Sequence, residues 1–119
     1  MEDTSMELVR ANLALNGLLA PCEYLKWGDF SSAPLKEASF DLIVGSDIIY
    51  TEYAVSPLAR TIKHYLKPGS RAIIANNAIR YDSRASLFES EVAAAGLTIV
   101  ERHDLEDQNM IMRLLIIEK

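Results

Sequence analysis

Apolar residues recur along the chain with two periods, one typical of amphipathic helices and one typical of buried strands. Thr4-Ser5-Met6-Glu7 has the form of a capping box, which satisfies exposed amide donors at the start of a helix. The apolar residues that follow it at helical spacing are Leu8, Ala11, Leu15 and Leu18. Asn16-Gly17 predicts the end of this helix.

Two strands and a second helix are predicted next. Cys22–Leu25 is a segment of mixed character that we interpret as a short strand, and Phe40–Val44 is a clearer apolar strand that ends at Gly45. Ser56-Pro57 predicts the start of the helix, because proline at the first helical position loses no hydrogen bond, and Pro68-Gly69 predicts its end. The buried stripe of this helix is predicted to be Leu58, Ala59, Ile62, Tyr65 and Leu66.

The C-terminal part of the chain continues the alternation. Arg71–Asn76 predicts a buried strand, and Asp82 or Ser83 predicts the start of a helix that ends at Gly96. The core-facing residues of that helix are predicted to be Ala85, Phe88, Val92 and Ala95. The last two strands are predicted at Leu97–Arg102 and Met110–Glu118, joined by a polar link that contains Asp104, Glu106, Asp107 and Gln108.

The predicted order is therefore helix, strand, strand, helix, strand, helix, strand, strand. Strands that alternate with helices predict an α/β fold with a largely parallel sheet covered on both faces. The last two strands have no helix between them, which predicts a final antiparallel hairpin.

Composition narrows the class of protein. The chain has 119 residues, half of them hydrophobic, which fits one domain of the usual size of roughly 100–200 residues. The single cysteine, Cys22, excludes a disulfide framework and favours a reducing compartment. A net charge of −5 argues against a generic binder of phosphate backbones and leaves a local basic patch open. No apolar run approaches a membrane span, and Met1–Thr4 does not begin a secretory signal, so we expect a cytoplasmic or nuclear protein with no nucleic-acid or membrane partner.

The first candidate site follows the clearest strand. In an open α/β sheet, ligands bind beyond the carboxyl ends of the strands, and Gly45-Ser46-Asp47-Ile48-Ile49-Tyr50 falls at such a position. Asp47 and Tyr50 would project over the strand ends. The structural alternative is that Asp47 caps a turn and Tyr50 packs against the next helix.

Two further segments are candidates. Trp27-Gly28-Asp29 could place an aromatic ring beside a flat ligand, although a lone tryptophan is also a common core residue. Asn76, Asn77, Arg80 and Tyr81 could line an acceptor pocket, or they could form an ordinary surface loop.

The sequence contains no motif typical of a metal site, of nucleophilic catalysis or of a phosphate-binding loop. His64 and His103 have no ligand partners at metal-binding spacing, so no metal site is predicted. No G-x-S-x-G elbow is present, and Cys22 has no nearby histidine. Neither a Walker-type loop nor a G-x-G-x-x-G cluster occurs anywhere in the chain.

Taken together, these segments resemble the seven-β-strand (class I) methyltransferases that use S-adenosylmethionine, in particular the protein-lysine methyltransferase-like group. Asn12-Leu13-Ala14-Leu15-Asn16 is similar to the family's N-x-x-x-N helix before its third strand. Leu25-Lys26-Trp27-Gly28 matches L-x-W-G at the end of that strand, and the run from Phe40 to Tyr50 matches the fourth strand with its Asp-x-x-Tyr signature. Leu66-Lys67-Pro68-Gly69, which many methyltransferases share, follows in the usual order, so the resemblance spans nearly the whole chain.

The resemblance implies protein-lysine N-methylation with S-adenosylmethionine as cofactor and a protein bearing a target lysine as partner. Asp47 and Tyr50 would be the catalytic pair, at the junction of the donor methyl and the incoming amine. The implied donor-binding residues are Trp27, Gly28, Asp29, Ser46 and Asp47. The implied substrate-binding residues are Asn76, Asn77 and Arg80.

The resemblance also implies a partial Rossmann-like sheet, in one incomplete domain over residues 1–119, that is N-terminally truncated and lacks the family's first two strands. Glu2 and Asp3 are both candidates for the acid that binds the donor ribose. Without the glycine-rich loop after the first strand, we predict that the chain does not bind S-adenosylmethionine tightly.

Phe40–Val44 would then be an exposed apolar edge of the sheet. An alternative function follows from that edge: a non-catalytic interaction module that pairs with a partner chain or with its own copy. A third, less favoured alternative is a small-molecule or nucleic-acid methyltransferase.

Overall fold

The computed structural model describes residues 2–31 and 35–119, which contain four helices and four strands in the order α1, β1, α2, β2, α3, α4, β3, β4. The helices are α1 (Glu2–Leu15), α2 (Glu52–Tyr65), α3 (Ala78–Asp82) and α4 (Ala85–Ala94). The strands are β1 (Phe40–Ser46), β2 (Leu66–Asn77), β3 (Thr98–Asp107) and β4 (Met110–Glu118). None of the described helices is long and apolar enough to cross a membrane.

The four strands form one sheet in the order β1-β2-β4-β3. β1 and β2 are parallel, whereas β4 is antiparallel to both β2 and β3. The predicted α/β class and the final antiparallel hairpin are therefore confirmed. The prediction of a largely parallel sheet is wrong for the described strands, because the hairpin supplies two of them and inserts β4 between β2 and β3.

The core lies between one face of the sheet and the helices α2, α3 and α4. Strand register places Ile74, Leu115 and Ile117 on this face, and all three side chains are fully buried. The predicted stripes of α2 and α4 supply the other side, with Leu58, Ile62, Phe88 and Val92 in the same cluster. The described helices that pack on the sheet thus share one core, so the expectation of helices on both faces is not met.

Helix α1 is present but begins earlier than predicted. Because it begins at Glu2, Thr4 lies inside the helix and does not cap it. The predicted end is confirmed: Gly17 has a φ of +65°, and Leu18 N–H donates to Leu13 O at 2.9 Å. The side chains of Glu2 and Asp3 lie outside the described part of the structure.

The predicted strand Cys22–Leu25 is wrong, because residues 18–26 have no regular secondary structure. A strand requires a neighbour for its backbone amides and carbonyls, and β1 pairs only with β2 among the described strands. The segment is tied to α1 instead, through Arg10 Nη2, which donates to Cys22 O at 3.4 Å, and through the contact of Cys22 Sγ with Met6 Sδ at 3.8 Å.

Helix α2 extends from Glu52 to Tyr65, so both of its predicted ends are wrong. Pro57 lies inside the helix, where its missing N–H leaves one backbone carbonyl without its usual partner. β2 begins directly at Leu66 and contains Pro68 and Gly69, which fall where the register with β1 shifts. Gly69 adopts a φ of +80°, so Pro68-Gly69 bends a strand here and does not end a helix.

The C-terminal elements differ from prediction mainly in length. The helix predicted from Asp82 or Ser83 is α4, which begins at Ala85, and the extra short helix α3 precedes it. Gly96, with a φ of +82°, follows the end of α4 as predicted. The predicted polar link is largely strand, because β3 continues to Asp107 and only Gln108 and Asn109 form the turn.

Candidate functional site

The carboxyl end of β1 carries the main candidate residue, Asp47. Ser46 is the last strand residue and pairs with Ala75 of β2. Asp47 N–H donates to Ala75 O at 2.8 Å, and its φ of +53° turns the chain away from the sheet. Aspartate is one of the few residue types with a side chain that adopts this conformation readily. The turn therefore exposes the Asp47 carboxylate just beyond the strand.

The Asp47 carboxylate joins the ends of two neighbouring strands. Its Oδ1 accepts a hydrogen bond from Asn77 N–H at 3.0 Å, across 30 positions of sequence. In the described part of the chain, Oδ2 has no hydrogen-bond partner and the side chain is exposed. The turn-forming role considered from the sequence is thus real, and it leaves one carboxylate oxygen open to a ligand.

Asn77 is central to this end of the sheet. Besides its amide bond to Asp47, its Oδ1 accepts from Ile79 N–H at 3.0 Å and caps α3. The structure therefore brings the predicted residues Asp47 and Asn77 together. Arg80 lies on α3 with an exposed side chain.

Asn76 does not line an open surface, although the sequence made it a candidate. It is only 1% exposed and lies on the core face of β2, opposite Arg113 of β4. Among the described residues, neither Oδ1 nor Nδ2 has a hydrogen-bond partner. The alternation of side chains along a strand explains why the adjacent Asn76 and Asn77 have different surroundings.

Tyr50 follows Asp47 by three positions and lies just before α2. Its side chain is 60% exposed, so it is available to a ligand and is not buried. The structure shows no hydrogen bond that fixes its ring relative to Asp47.

Trp27 forms one wall of an apolar groove of about 370 Å³. The ring is half-buried and packs against the core. β1 and α2 supply the other walls, which include Val44, Gly45, Ile48, Leu58 and Ile62. Gly45 and Ile48 both line the groove, and they flank Ser46 and Asp47 in the chain. The groove therefore extends to the carboxyl end of β1.

Gly28 and Asp29 hold the loop that carries Trp27. Gly28 N–H donates to Thr61 Oγ1 of α2 at 2.9 Å. Asp29 Oδ1 accepts from Ser31 N–H at 3.1 Å and from Ser31 Oγ at 2.7 Å, and these bonds lower the pKa of Asp29 below its ordinary value. The Asp29 carboxylate is therefore engaged in a local turn.

A second cavity, of about 440 Å³, opens at the same end of the sheet between α3 and the β3–β4 turn. Arg113 lies in its wall and donates to both oxygens of Asp104, at 2.9 and 3.0 Å, while it also pairs with Asp82. The bond from Arg113 lowers the pKa of Asp104 below its ordinary value. No local pattern in the sequence indicates this triad, because strand register brings Arg113 to Asp104 and the packing of α3 on the sheet brings Asp82 to Arg113.

Within residues 2–31 and 35–119, no group of three or more His, Cys, Asp or Glu side chains converges on a point that could hold a metal ion. His64 instead stacks on Phe30, with ring centroids 3.9 Å apart.

The sequence model of a family described as lysine methyltransferase matches residues 1–92 of this chain. The chain belongs to the lysine methyltransferase family. A comparison with curated proteins finds no match.

Solved structures show the same fold at low sequence identity. The PH0226 protein from Pyrococcus horikoshii has a TM-score of 0.70 at 11% identity, over 95% of this chain and 66% of its own. The mitomycin 7-O-methyltransferase MmcR has a TM-score of 0.67 at 21% identity, and the match covers 96% of this chain and 39% of MmcR. A SAM-dependent methyltransferase from Leishmania major has a TM-score of 0.59 at 14% identity, and the match covers 73% of this chain and 42% of that protein. The chain thus has part of the class I methyltransferase fold and spans about two thirds or less of these proteins.

Enzymes of this kind use S-adenosylmethionine, and the described residues fit one end of that molecule. The groove beside Trp27 offers an aromatic, apolar wall suited to a flat base such as adenine. The charged methionine end usually needs backbone amides of a glycine-rich loop, and no G-x-G-x-x-G cluster is present in the sequence. Among the described residues, the surface suited to this molecule is the groove, at the adenine end.

Proposed function

We propose that this chain forms the acceptor side and the adenine wall of an S-adenosylmethionine-dependent protein-lysine methyltransferase site. The observation that carries the proposal is Asp47, which Asn77 N–H holds at the end of β1 with one oxygen open. The groove beside Trp27 extends to the same end of β1, where Gly45 and Ile48 line it. Membership of the lysine methyltransferase family supports lysine as the acceptor.

Methyl transfer to lysine requires the protein's own residues to deprotonate the amine and to position it. When bound, S-adenosylmethionine supplies a methyl group activated by its positively charged sulfur. A lysine side chain must lose a proton before its nitrogen can attack, and Asp47 Oδ2 is placed to take that proton as a general base and to release it to solvent. The exposed face of Tyr50 can hold the cationic amine by cation–π attraction. Positioning of this kind supplies much of the rate of an in-line displacement.

The acceptor that fits this chain is a basic segment of another protein. The net charge of −5 favours a positively charged partner. The residues that we propose to contact the acceptor are Asp47, Tyr50, Asn77 and Arg80, all at the carboxyl end of β1 and β2 or just beyond it. Asn76 is not included, because it is buried.

Substitution of Asp47 by Asn tests this proposal. Asparagine tolerates the same positive φ and keeps an Oδ1 acceptor for Asn77 N–H, but it removes the negative charge. We expect the methylation rate to fall by at least about a hundredfold, the lower end of the range that general-base contributions span. The measurement is transfer of labelled methyl groups to lysine in a basic acceptor protein, at millimolar donor because we predict weak binding.

Asp47→Ala provides the comparison, since it removes both the charge and the bond to Asn77. Equal lysine methylation by the parent chain and by both variants would assign Asp47 to turn formation alone. Titration calorimetry with S-adenosylmethionine tests the donor prediction separately, and a micromolar Kd would show that our expectation of weak binding is wrong.

A second candidate function, an interaction module, is favoured by one specific observation. β1 is the edge strand of the described sheet, and Leu42 and Val44 on it are 55% and 69% exposed. An apolar edge of this kind readily pairs with another strand. A stable oligomer in size-exclusion chromatography, together with no lysine methylation, would favour this function over catalysis.

A further inference from the structure

The loop that carries Trp27 has little regular structure to hold it. Residues 18–26 form neither helix nor strand, and Trp27 and Gly28 lie in a turn. A wall of a binding groove needs a fixed position, because ordering it on binding would reduce the affinity. The contacts between this turn and α2 therefore decide whether Trp27 can serve as a wall.

Thr61 makes the polar contact that attaches the turn to α2. Its side chain is only 6% exposed, and its hydroxyl donates to Pro57 O at 2.8 Å. A hydroxyl has one hydrogen, so this bond leaves its lone pairs free to accept. One of them accepts from Gly28 N–H at 2.9 Å. Thr61 thus bridges a carbonyl of its own helix and the residue next to Trp27.

Gly28 fits this contact for two reasons. Its φ of +82° is a conformation that residues with a side chain rarely adopt. A Cβ at this position would lie 3.1 Å from Pro57 Cβ and 3.0 Å from Arg60 Nη2. The absence of a side chain therefore lets the backbone approach α2 closely enough to bond to Thr61.

A stacking contact supports the same loop one helical turn further along α2. The Phe30 ring stacks on His64, with centroids 3.9 Å apart and planes 4° apart. Thr61 and His64 are three positions apart, so they lie on the same side of the helix. The loop from Trp27 to Phe30 is thus held at two points, of which Thr61 lies nearer the indole.

We propose that Thr61 is a positioning residue, which fixes Trp27 as a wall of the groove through its hydrogen bond to Gly28. The consequence for donor binding rests on the proposed function, whereas the positioning of the indole does not. Neither the periodicity nor the motifs of the sequence single out Thr61, which is 33 positions from Gly28.

The test uses Trp27 as its own reporter, since it is the only tryptophan in the chain. Thr61→Val keeps the shape of the side chain but leaves Gly28 N–H without its acceptor. We expect the Trp27 fluorescence of this variant to be quenched by acrylamide about twofold more strongly, because the unsatisfied amide favours opening of the loop. Thr61→Ser keeps the hydroxyl and should behave as the parent chain, and Thr98→Val makes the same change at an exposed site.

Equal quenching in the parent and in Thr61→Val, with circular dichroism unchanged, would overturn the proposal. If Thr61→Val fails to fold, amide hydrogen exchange of Gly28 in the parent chain decides instead. Exchange at least about tenfold slower than in an unfolded chain supports the bond, and exchange at the unfolded rate overturns it. Neither acrylamide quenching nor amide exchange uses the methyl donor. Both therefore test the position of Trp27 even if the proposed function is wrong.

Discussion

At the scale of single residues, Asp47 illustrates how one side chain can meet a structural and a chemical requirement together. Its positive φ and its bond to Asn77 N–H are features of a turn, and these same features direct its second oxygen away from the sheet. A residue that forms a turn at a strand end is thereby also a residue presented to a ligand. The two interpretations that the sequence left open are therefore compatible.

Tyr81 shows the opposite case, a polar group enclosed by the fold. It is 3% exposed, and in the described part of the chain its hydroxyl has no hydrogen-bond partner. Burial, and then the nearby Glu89 carboxylate, raise the pKa of Tyr81 to about 12 from an ordinary value of 10.0.

This pKa predicts how stability changes in alkali. The unfolded chain loses the Tyr81 proton near pH 10 while the folded chain keeps it up to about pH 12, so the free energy of unfolding falls across this interval. About one pH unit of this interval lies below pH 11, so we expect Tyr81 to account for a loss of about 1.4 kcal/mol between pH 9 and pH 11. Urea unfolding of the parent and of Tyr81→Phe at pH 9 and pH 11 measures it.

At pH 9 the phenylalanine variant should be at least as stable as the parent, since it loses no hydrogen bond and removes a buried hydroxyl that has no partner among the described residues. The same loss in both proteins between pH 9 and pH 11 would show that other groups cause it.

At the scale of elements, the β3–β4 hairpin closes through a two-residue turn in which both residues have a positive φ. Gln108 and Asn109 have φ values of +47° and +66°. Two consecutive positive φ values are typical of a type I′ turn, for which Asn-Gly is the preferred pair. A glutamine in this conformation is strained relative to asparagine or glycine.

We predict that Gln108→Asn combined with Asn109→Gly raises the free energy of unfolding by about 1 kcal/mol, because it relieves that strain. Thermal and urea unfolding measure the change. Glu106→Asn, on the exposed part of β3, is the matched control and should not stabilise the protein. A destabilised double variant would mean that the turn is not of this type.

At the scale of the whole molecule, the described helices cover one face of the sheet and leave the other face open. Register places Leu42 and Val44 of β1 on the same face as Ile73 and Ile116, opposite the core. Ile73 and Ile116 are half-buried, while Leu42 and Val44 are exposed. This apolar face meets the unpaired edge of β1, so both features favour association with another polypeptide.

We predict that Val44→Lys reduces self-association, because a charge on an edge strand opposes pairing. Since the side chain is 69% exposed, the free energy of unfolding should change by less than about 0.5 kcal/mol. Size-exclusion chromatography over a range of concentrations measures the effect. Leu19→Lys adds the same charge at an exposed site away from β1, and an equal effect of both variants would point to net charge alone.

The sequence by itself determined the features that depend on neighbours along the chain. Helical spacing identified the buried stripes of α2 and α4, and glycines placed the ends of α1 and α4, because these signals act within one or two turns. The motifs around Trp27 and Asp47 were sufficient to indicate the methyltransferase family. Asp47 and Tyr50 are exposed at the end of β1 and beyond it, and their catalytic role stays a prediction.

Only the tertiary structure decided the features that depend on pairing between distant segments. It showed that Cys22–Leu25 pairs with none of the described strands and that Pro68-Gly69 lies within β2. It also buried Asn76, although a polar amide at a strand end is typical of a pocket. The bonds from Asn77 to Asp47 and from Gly28 to Thr61 join residues 30 and 33 positions apart. Such contacts follow from strand register and helix packing, which no local pattern specifies.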